Sequence, residues 1–382
     1  MSEDIQRVLL VMPEPGVLEA AAGVSLDVWA VSDRGADPLD IGGISRRRLT
    51  VDFGDADALH ALLVNTARDQ GIPHILYFGE SDEVRLAVEH ASFQLSQGQA
   101  SSLHKLRDPV TMRRILNQSG VSVVSAAPVS SVESVRALVG RCVLPVVVKT
   151  RSAMSCTVIR DKADLDAWAG STSVEPCLVE EYLAGPEVVV NTLSCDGMHQ
   201  VIGMTALRSA APAGVDLLHP AGLSEGDRAE IRTTVRALLD LTGHESGPVH
   251  TRVVLTQSGP RIASSRAWLS GNPVRRLMQA ASGRAPVESV LSTLAGAPPH
   301  ALDSIQFAAL ARLVPPHAGR ILAGVLEDLS NVDYVVDLRV VEAGMGIATH
   351  AEVIVHGASP AVAAERLGEV RRRWESSWGA HG

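Results

Sequence analysis

The chain has 382 residues, a formal net charge of -9, and 46% hydrophobic, 20% charged and 3% aromatic residues. Such a length supplies two or three domains, or one multi-lobed domain, with an ample core, and the composition excludes a disordered chain. The acidic balance argues against a general nucleic-acid binder, and no run of about 18 apolar residues marks a membrane span.

The opening "MSEDIQRVLLVMP" starts acidic and runs straight into a strand, so no signal peptide is expected and the protein reads as cytoplasmic. Within it "RVLLVMP" is a short buried strand, and "LDVWAVS" is the next. "ADALHALLVNTARDQG" has helical spacing, with Leu59, Leu62 and Leu63 on one side. "HILYFG" predicts a strand, and "SDEVRLAVEHASFQLS" a helix that Ser81 caps. Alternating strands and helices imply a parallel sheet covered by helices. "SQGQASS" reads as a linker, closing a first domain at residue 100.

Next, "RDPVTMRRILNQSG" predicts a helix with Pro109 in its first turn and Gly120 at its stop. "SVESVRALVG" is a helix capped by Ser131, "LPVVVKT" and "TVIRD" are strands, and "KADLDAWAG" is a short helix. "CLVEEYLAGPEVVVNTLSCDG" holds a strand, a connector and a longer strand ending in an Asp196-Gly197 turn, with "HQVIGMTAL" as its partner. "SEGDRAEIRTTVRALLDLTG" is an amphipathic helix capped by Ser224, and "VHTRVVLT" with "PRIASSR" forms a hairpin. From about residue 295 an Ala- and Pro-rich stretch introduces a smaller unit. Cys142, Cys156, Cys177 and Cys195 lack CxxC spacing and read as buried, reduced thiols. No HxxxH or HExxH spacing occurs among 13 histidines, and GxSxG is absent, which disfavours a zinc enzyme or a hydrolase elbow.

Taken in order, "LRDPVTMRRILNQSGVSV", "LPVVVKT", "CLVEEYLAGPEVVV", "LLHPAGLS", "GPVHTRVVLTQSGPRI", "LVPPHAGRI" and "VIVHGASPAVAAERL" resemble the ATP-grasp superfamily. The resemblance is to its carboxylate–amine or amino-acid ligase branch, and it covers nearly the whole chain. It implies an α/β fold with a Rossmann-like parallel-sheet domain at 1–100 and a central lid lobe at 101–190. A metal-hairpin and substrate lobe would follow at 191–295, and a C-terminal lobe at 296–382. Ligands implied are ATP or ADP and a small anionic substrate, an amino acid or other carboxylate, in a protein that is often a homodimer.

Carried over residue by residue, the resemblance gives a mixed site. The connector Glu180, Glu181, Tyr182 and Leu183 would hold adenine and Glu187 the ribose, although an edge strand with solvated acids would look the same. Lys149 would meet the phosphates, while a second phosphate lysine is replaced by Pro109. The usual glycine-rich phosphate loop is "TRSAMSC", without glycine, leaving Arg151 and Ser152 as donors. The metal positions correspond to Arg252, Ala263 and Ser265, with Asn272 on the substrate side. A guanidinium about 4 Å from a cation costs about 4 kcal/mol per unit charge product at an effective dielectric of 20. Magnesium is therefore not expected, and nucleotide binding would be weak or vestigial.

Arg266 matches the branch's substrate-side arginine, and with Lys149, Arg252 and Arg151 it would line the cleft with positive charge. His250 and His219 are candidates for proton transfer, or equally for orientation and packing. Three functional readings follow. One is a rewired enzyme that transfers an acyl group to an amine without its own Mg-ATP step. Another is a conventional ATP-dependent ligase with metal ligands from elsewhere, such as Asp216 or Glu245. The third is an inactive binding or scaffold subunit. The Ala-, Val- and Arg-rich composition suggests, by analogy only, a high-GC genome and specialised-metabolite assembly.

Overall fold

The structure, a computed structural model, describes residues 5–35, 47–79, 81–95, 97–150, 156–171, 176–210, 214–269, 271–316, 321, 323–342 and 349–381. Its first unit contains β1 (Gln6–Val11), α1 (Pro15–Ala22), β2 (Leu26–Asp33), β3 (Arg48–Val51), α2 (Ala56–Gln70), β4 (His74–Tyr77) and α3 (Asp82–Leu95). The sheet runs β3-β2-β1-β4, all parallel. Both faces are covered, which is why Val8, Leu9, Leu10 and Val11 form an unbroken buried run rather than an alternating one. The stretch read as a linker is instead helix α4 (Gln97–Arg107), followed at Asp108 by α5 (Pro109–Ser119). The Asp108 side chain caps α5 by accepting from the Thr111 amide at 2.7 Å.

The central lobe contains β5 (Ala126–Val129), α6 (Val132–Val139), β6 (Val146–Thr150), β7 (Cys156–Ile159), α7 (Lys162–Ser171) and β8 (Cys177–Glu181), with antiparallel order β5-β8-β6-β7. Beyond the connector come β9 (Glu187–Cys195), β10 (Met198–Ala210), β11 (Gly214–His219), α8 (Glu225–Thr242), β12 (Gly247–Thr256), β13 (Gly259–Arg266), α9 (Asn272–Ser282) and α10 (Pro286–Leu294). The chain ends with β14 (Phe307–Leu313), α11 (Ala323–Ser330), β15 (Val335–Val341), β16 (His350–Gly357) and α12 (Pro360–His381). Strands β9 to β16 form one sheet, ordered β13-β12-β9-β10-β11-β14-β16-β15. The division expected at residue 295 therefore does not separate two sheets, because β14 pairs directly with β11.

Packing follows from these layers. One face of the first sheet packs on α10 through Val8, Leu10, Val287 and Leu291, and the other on α2 and α3. Helices α5 and α8 cover the large sheet beneath the hairpin, with Met112, Leu116, Ile231 and Val235 meeting Val188, Val249 and Val253. No described helix is long and apolar enough to cross a membrane. The cysteines depart from the expectation of burial: Cys177 is buried, but Cys142 and Cys156 are exposed.

The connector between β8 and β9 is pinned at Gly185, which has a φ of 151°. A Cβ there would stand 2.0 Å from the Leu255 carbonyl oxygen, backbone that cannot move aside without disturbing β12. Gly197, at the β9–β10 turn, also has positive φ (74°), but a Cβ added at that position would meet nothing within 4 Å. Gly185→Ala should therefore cost on the order of 3 kcal/mol and Gly197→Ala only about 1. Thermal melts of the two variants check this, and equal shifts would refute the close approach.

Candidate functional site

A cleft of about 240 Å³ lies between the central lobe and the β12–β13 hairpin, lined by β6, β7, the connector and the hairpin's inner face. It gathers Lys149, Glu180, Glu181, Tyr182, Leu183, Glu187, Arg252 and Arg266, as the sequence led us to expect. Arg151 and Ser152 lie outside the described residues.

The floor is a buried charge cluster that sequence reasoning did not foresee. Arg113 is 2% exposed and donates from Nε to Glu180 Oε1 at 2.6 Å. Its other nitrogens donate to the carbonyls of Ser122 at 3.0 Å and Ile262 at 2.6 Å. Lys149 donates to the second Glu180 oxygen, Oε2, and to the Ala263 carbonyl at 2.6 Å. Burial pushes the Lys149 ammonium pKa down, and Glu180 opposes that shift. The Glu180 side chain thus points into the floor rather than towards a ligand. Arg113 stands beside Arg114 in "TMRRIL". Its spacing with Pro109, Met112 and Leu116 nevertheless puts it on the buried stripe of α5, the signal that could have found it.

At the mouth, Arg252 pairs with Glu187, so the expected ribose acid is already engaged by the arginine at the metal position. Among the described residues three cations and three carboxylates line the cleft, so the positive charge expected there is largely matched by acids. Arg266 differs from the other two cations. Its NH1 donates to the carbonyls of Ser265 at 2.8 Å and Arg107 at 3.4 Å, its Nε is buried without a partner, and no acid reaches it at ion-pair distance among the described residues. Desolvation works against its charge, Glu89 supports it, and Arg107 and Arg85 oppose it.

The hairpin register corrects Ser265. Opposite Arg252 stands Ser264, and a bulge follows before Val253 pairs with Ile262. The bulge shifts the alternation, so Ala263 and Ser264 both line the cleft, while buried Ser265 bonds Thr251 at 3.0 Å on the other face. Asn272 is also misplaced: it starts α9 and donates to Glu14 at 2.6 Å, lining a separate cleft against the first unit. His219 is 1% exposed, bonded to Thr205 at 2.9 Å within the sheet, and lines none of the described clefts. His250 faces the same side as Arg252 and Arg266, but desolvation and the charges of Arg252, Arg266 and Arg85 push it down to about 4. Burial pushes His219 to about 4 as well. Both are neutral at pH 7, which suits packing better than proton donation.

The donor set does not fit magnesium. At two positions that the resemblance gives to metal-holding acids, the cleft has the Arg252 guanidinium and the Ala263 methyl, and no cluster of three or more His, Cys, Asp or Glu suited to a metal occurs among the described residues. The alternative ligands do not help: Asp216 pairs with Arg371 of α12, and Glu245 lies beside the Gly197 turn. The adenosine end fits better, since Tyr182 and Leu183 remain on the cleft wall.

His219 and His244, both pushed by burial from 6.5 to about 4, hold fewer protons folded than unfolded. The stability gained by keeping them neutral is complete above pH 6.5 and drains as pH falls towards 4. Urea titrations should lose on the order of 2 kcal/mol per buried imidazole between pH 7 and pH 5, and His219→Gln should flatten that slope. An unchanged slope in the variant would contradict a buried neutral His219.

No protein-family model matches the sequence, and no curated protein matches it. Solved structures do. An L-amino acid ligase from Bacillus licheniformis superposes with a TM-score of 0.77 at 15% identity, covering 98% of each chain. An N5-carboxyaminoimidazole synthase from Aspergillus clavatus, solved with ADP and its aminoimidazole ribonucleotide, superposes with a TM-score of 0.73 at 10% identity, over 97% of this chain and 99% of that one. An N5-carboxyaminoimidazole synthetase from Staphylococcus aureus, solved with ADP, gives 0.70 at 14% identity, over 99% of each. The matches span nearly the whole length of each chain, and the chain has the ATP-grasp fold.

Proposed function

We propose that this protein binds a small carboxylate or acyl phosphate at Arg266, on a ligase scaffold whose metal and phosphate end has been rebuilt. The observation that carries this reading is the state of Arg266: a guanidinium on the cleft wall with only backbone carbonyls for partners and a buried, unpartnered Nε. Lys149 and Arg252 are already matched by Glu180 and Glu187, so an incoming anion gains most at Arg266. A planar carboxylate suits a guanidinium fork. Among the described residues the hairpin offers no acid to hold magnesium, and Glu180 and Glu187 are engaged by cations, so a tri- or tetra-anionic nucleotide lacks its usual counter-charge and the adenosine end supports at most weak nucleotide binding. An acyl phosphate would arrive already activated. The amine nitrogen would form the new C–N bond as the C–O bond to phosphate breaks, with the amine proton passing to solvent. Arg266 would stabilise the oxyanion developing on the carbonyl oxygen.

Calorimetry with acetate, L-alanine and acetyl phosphate tests the reading. Arg266→Ala should weaken binding of at least one of these at least tenfold while the melting curve stays in place. Binding by none of them, or a variant within twofold of the wild type, would overturn it. For the nucleotide, ADP affinity should change less than twofold on adding magnesium. A tenfold gain would mean that a metal site exists after all. Cys156, exposed on the cleft wall, gives a separate readout: its alkylation by iodoacetamide should slow when the cleft fills.

A further inference from the structure

A second, more enclosed cavity of about 90 Å³ lies where the first unit meets the hairpin lobe, and none of the residues named above for the cleft lines it. Phe78, Val88, Phe93, Leu103, Trp268 and Leu269 supply its apolar walls. Its polar lining includes Arg85, Glu89, Ser92 and Arg107. Two contacts brace it. The Arg85 guanidinium stacks 4.7 Å from the Trp268 ring centroid, and Arg107 pairs with Glu89 at 2.9 Å. Protein interiors are close-packed, so an apolar void held open by such braces forfeits dispersion contacts that a fitted group would restore. Engineered apolar cavities of about 150 Å³ take up benzene, so this one suits a smaller aliphatic group.

Arg266 lines the cleft and lies beside the cavity, close to the charges of Glu89, Arg107 and Arg85. Its NH1 reaches the Arg107 carbonyl at 3.4 Å, and the Arg107 side chain lines the cavity. The next residues along the chain, Ala267 and Trp268, line the cavity too. An anion on Arg266 would therefore stand at the cavity's polar end, near Arg85 and Arg107, with its tail directed between Trp268 and α3. The geometry points to a selectivity pocket: it takes the apolar side chain of the carboxylate, so the substrate is an aliphatic acid or amino acid rather than a polar one. This inference rests on the anion reading of Arg266, and it assigns the cavity lining, Trp268 and Leu103 above all, as the determinants of chain length.

The test is calorimetry with straight-chain carboxylates from propionate to heptanoate, on the full-length wild type, Arg266→Ala, Ser92→Leu and Leu103→Ala. Each added methylene should raise affinity about fourfold until the cavity is full. Ser92→Leu, which narrows the cavity from α3, should shift the optimum to shorter acids. Leu103→Ala, which widens it from α4, should shift it to longer ones. Ser92 and Leu103 are both partly exposed, and a melting curve for each verifies folding. If acids bind through Arg266 but affinity is flat with length, or the two variants leave the optimum unmoved, the pocket is refuted and the anion site stands. If no acid binds, or Arg266→Ala changes nothing, the anion site itself has failed and the pocket fails with it.

Discussion

The arrangement of this cleft depends on one buried carboxylate. Glu180 is 3% exposed and lies between Arg113 and Lys149, and those two cations also hold the carbonyls of Ser122, Ile262 and Ala263. Helix α5, strands β6 and β8 and the hairpin are thereby tied at a single point, although they belong to separate lobes. A buried cluster of this kind owes its strength to completeness. Removing one partner leaves an uncompensated charge and costs about 3–5 kcal/mol, while replacing the whole set with apolar groups can be nearly neutral. Its contribution is therefore better described as fixing how the lobes meet than as adding net stability. A second tie reinforces the same joint, since the Ile262 amide donates to the Ser122 hydroxyl at 2.8 Å.

The three cations of the cleft differ in how firmly each is held by an acid. Lys149 is held by two partners in a desolvated setting and is not free for a phosphate without leaving Glu180 exposed to Arg113 alone. Arg252 and Glu187 are 38% and 37% exposed, and such pairs contribute about 0–1 kcal/mol, so a ligand could separate them at little cost. Among the described residues, no acid at ion-pair distance has to leave Arg266. The functional reading therefore rests on Arg266 rather than on the lysine.

The fold was legible in the sequence because it is written redundantly. Buried runs such as "RVLLV", caps at Ser131 and Ser224, the Asp196-Gly197 turn and the order of the motifs all point the same way. The stretch 97–107 was not legible, because Gln, Gly and Ser in its first turns read as linker chemistry while Leu103 and Leu106 supply only a short apolar face. The site was legible in its positions and not in its partners. Sequence identifies Lys149, Glu180, Glu187 and Arg252 as neighbours in the cleft, but which acid each cation takes depends on distances across lobes. The phase error at Ser265 has a similar origin, since period-two alternation fails at a bulge that no local residue announces. The histidines misled for a different reason: His219 and His250 occupy plausible positions, and only burial reveals that both stay neutral.

The hairpin 247–266 contains no Asp or Glu, and the buried cluster binds it through its backbone instead. Arg113 and Lys149 donate to the backbone carbonyls of Ile262 and Ala263. Arg252 lines the same cleft and holds Glu187 beside it. A carboxylate introduced at Ala263 alone would thus meet Lys149 and Arg252 before any metal, and would form ion pairs with them. A cation site would require removing Arg252, freeing Glu187 and supplying a second acid together, each change being unfavourable without the others. Such interdependence couples the charge pattern of the cleft to the way the hairpin meets the central lobe.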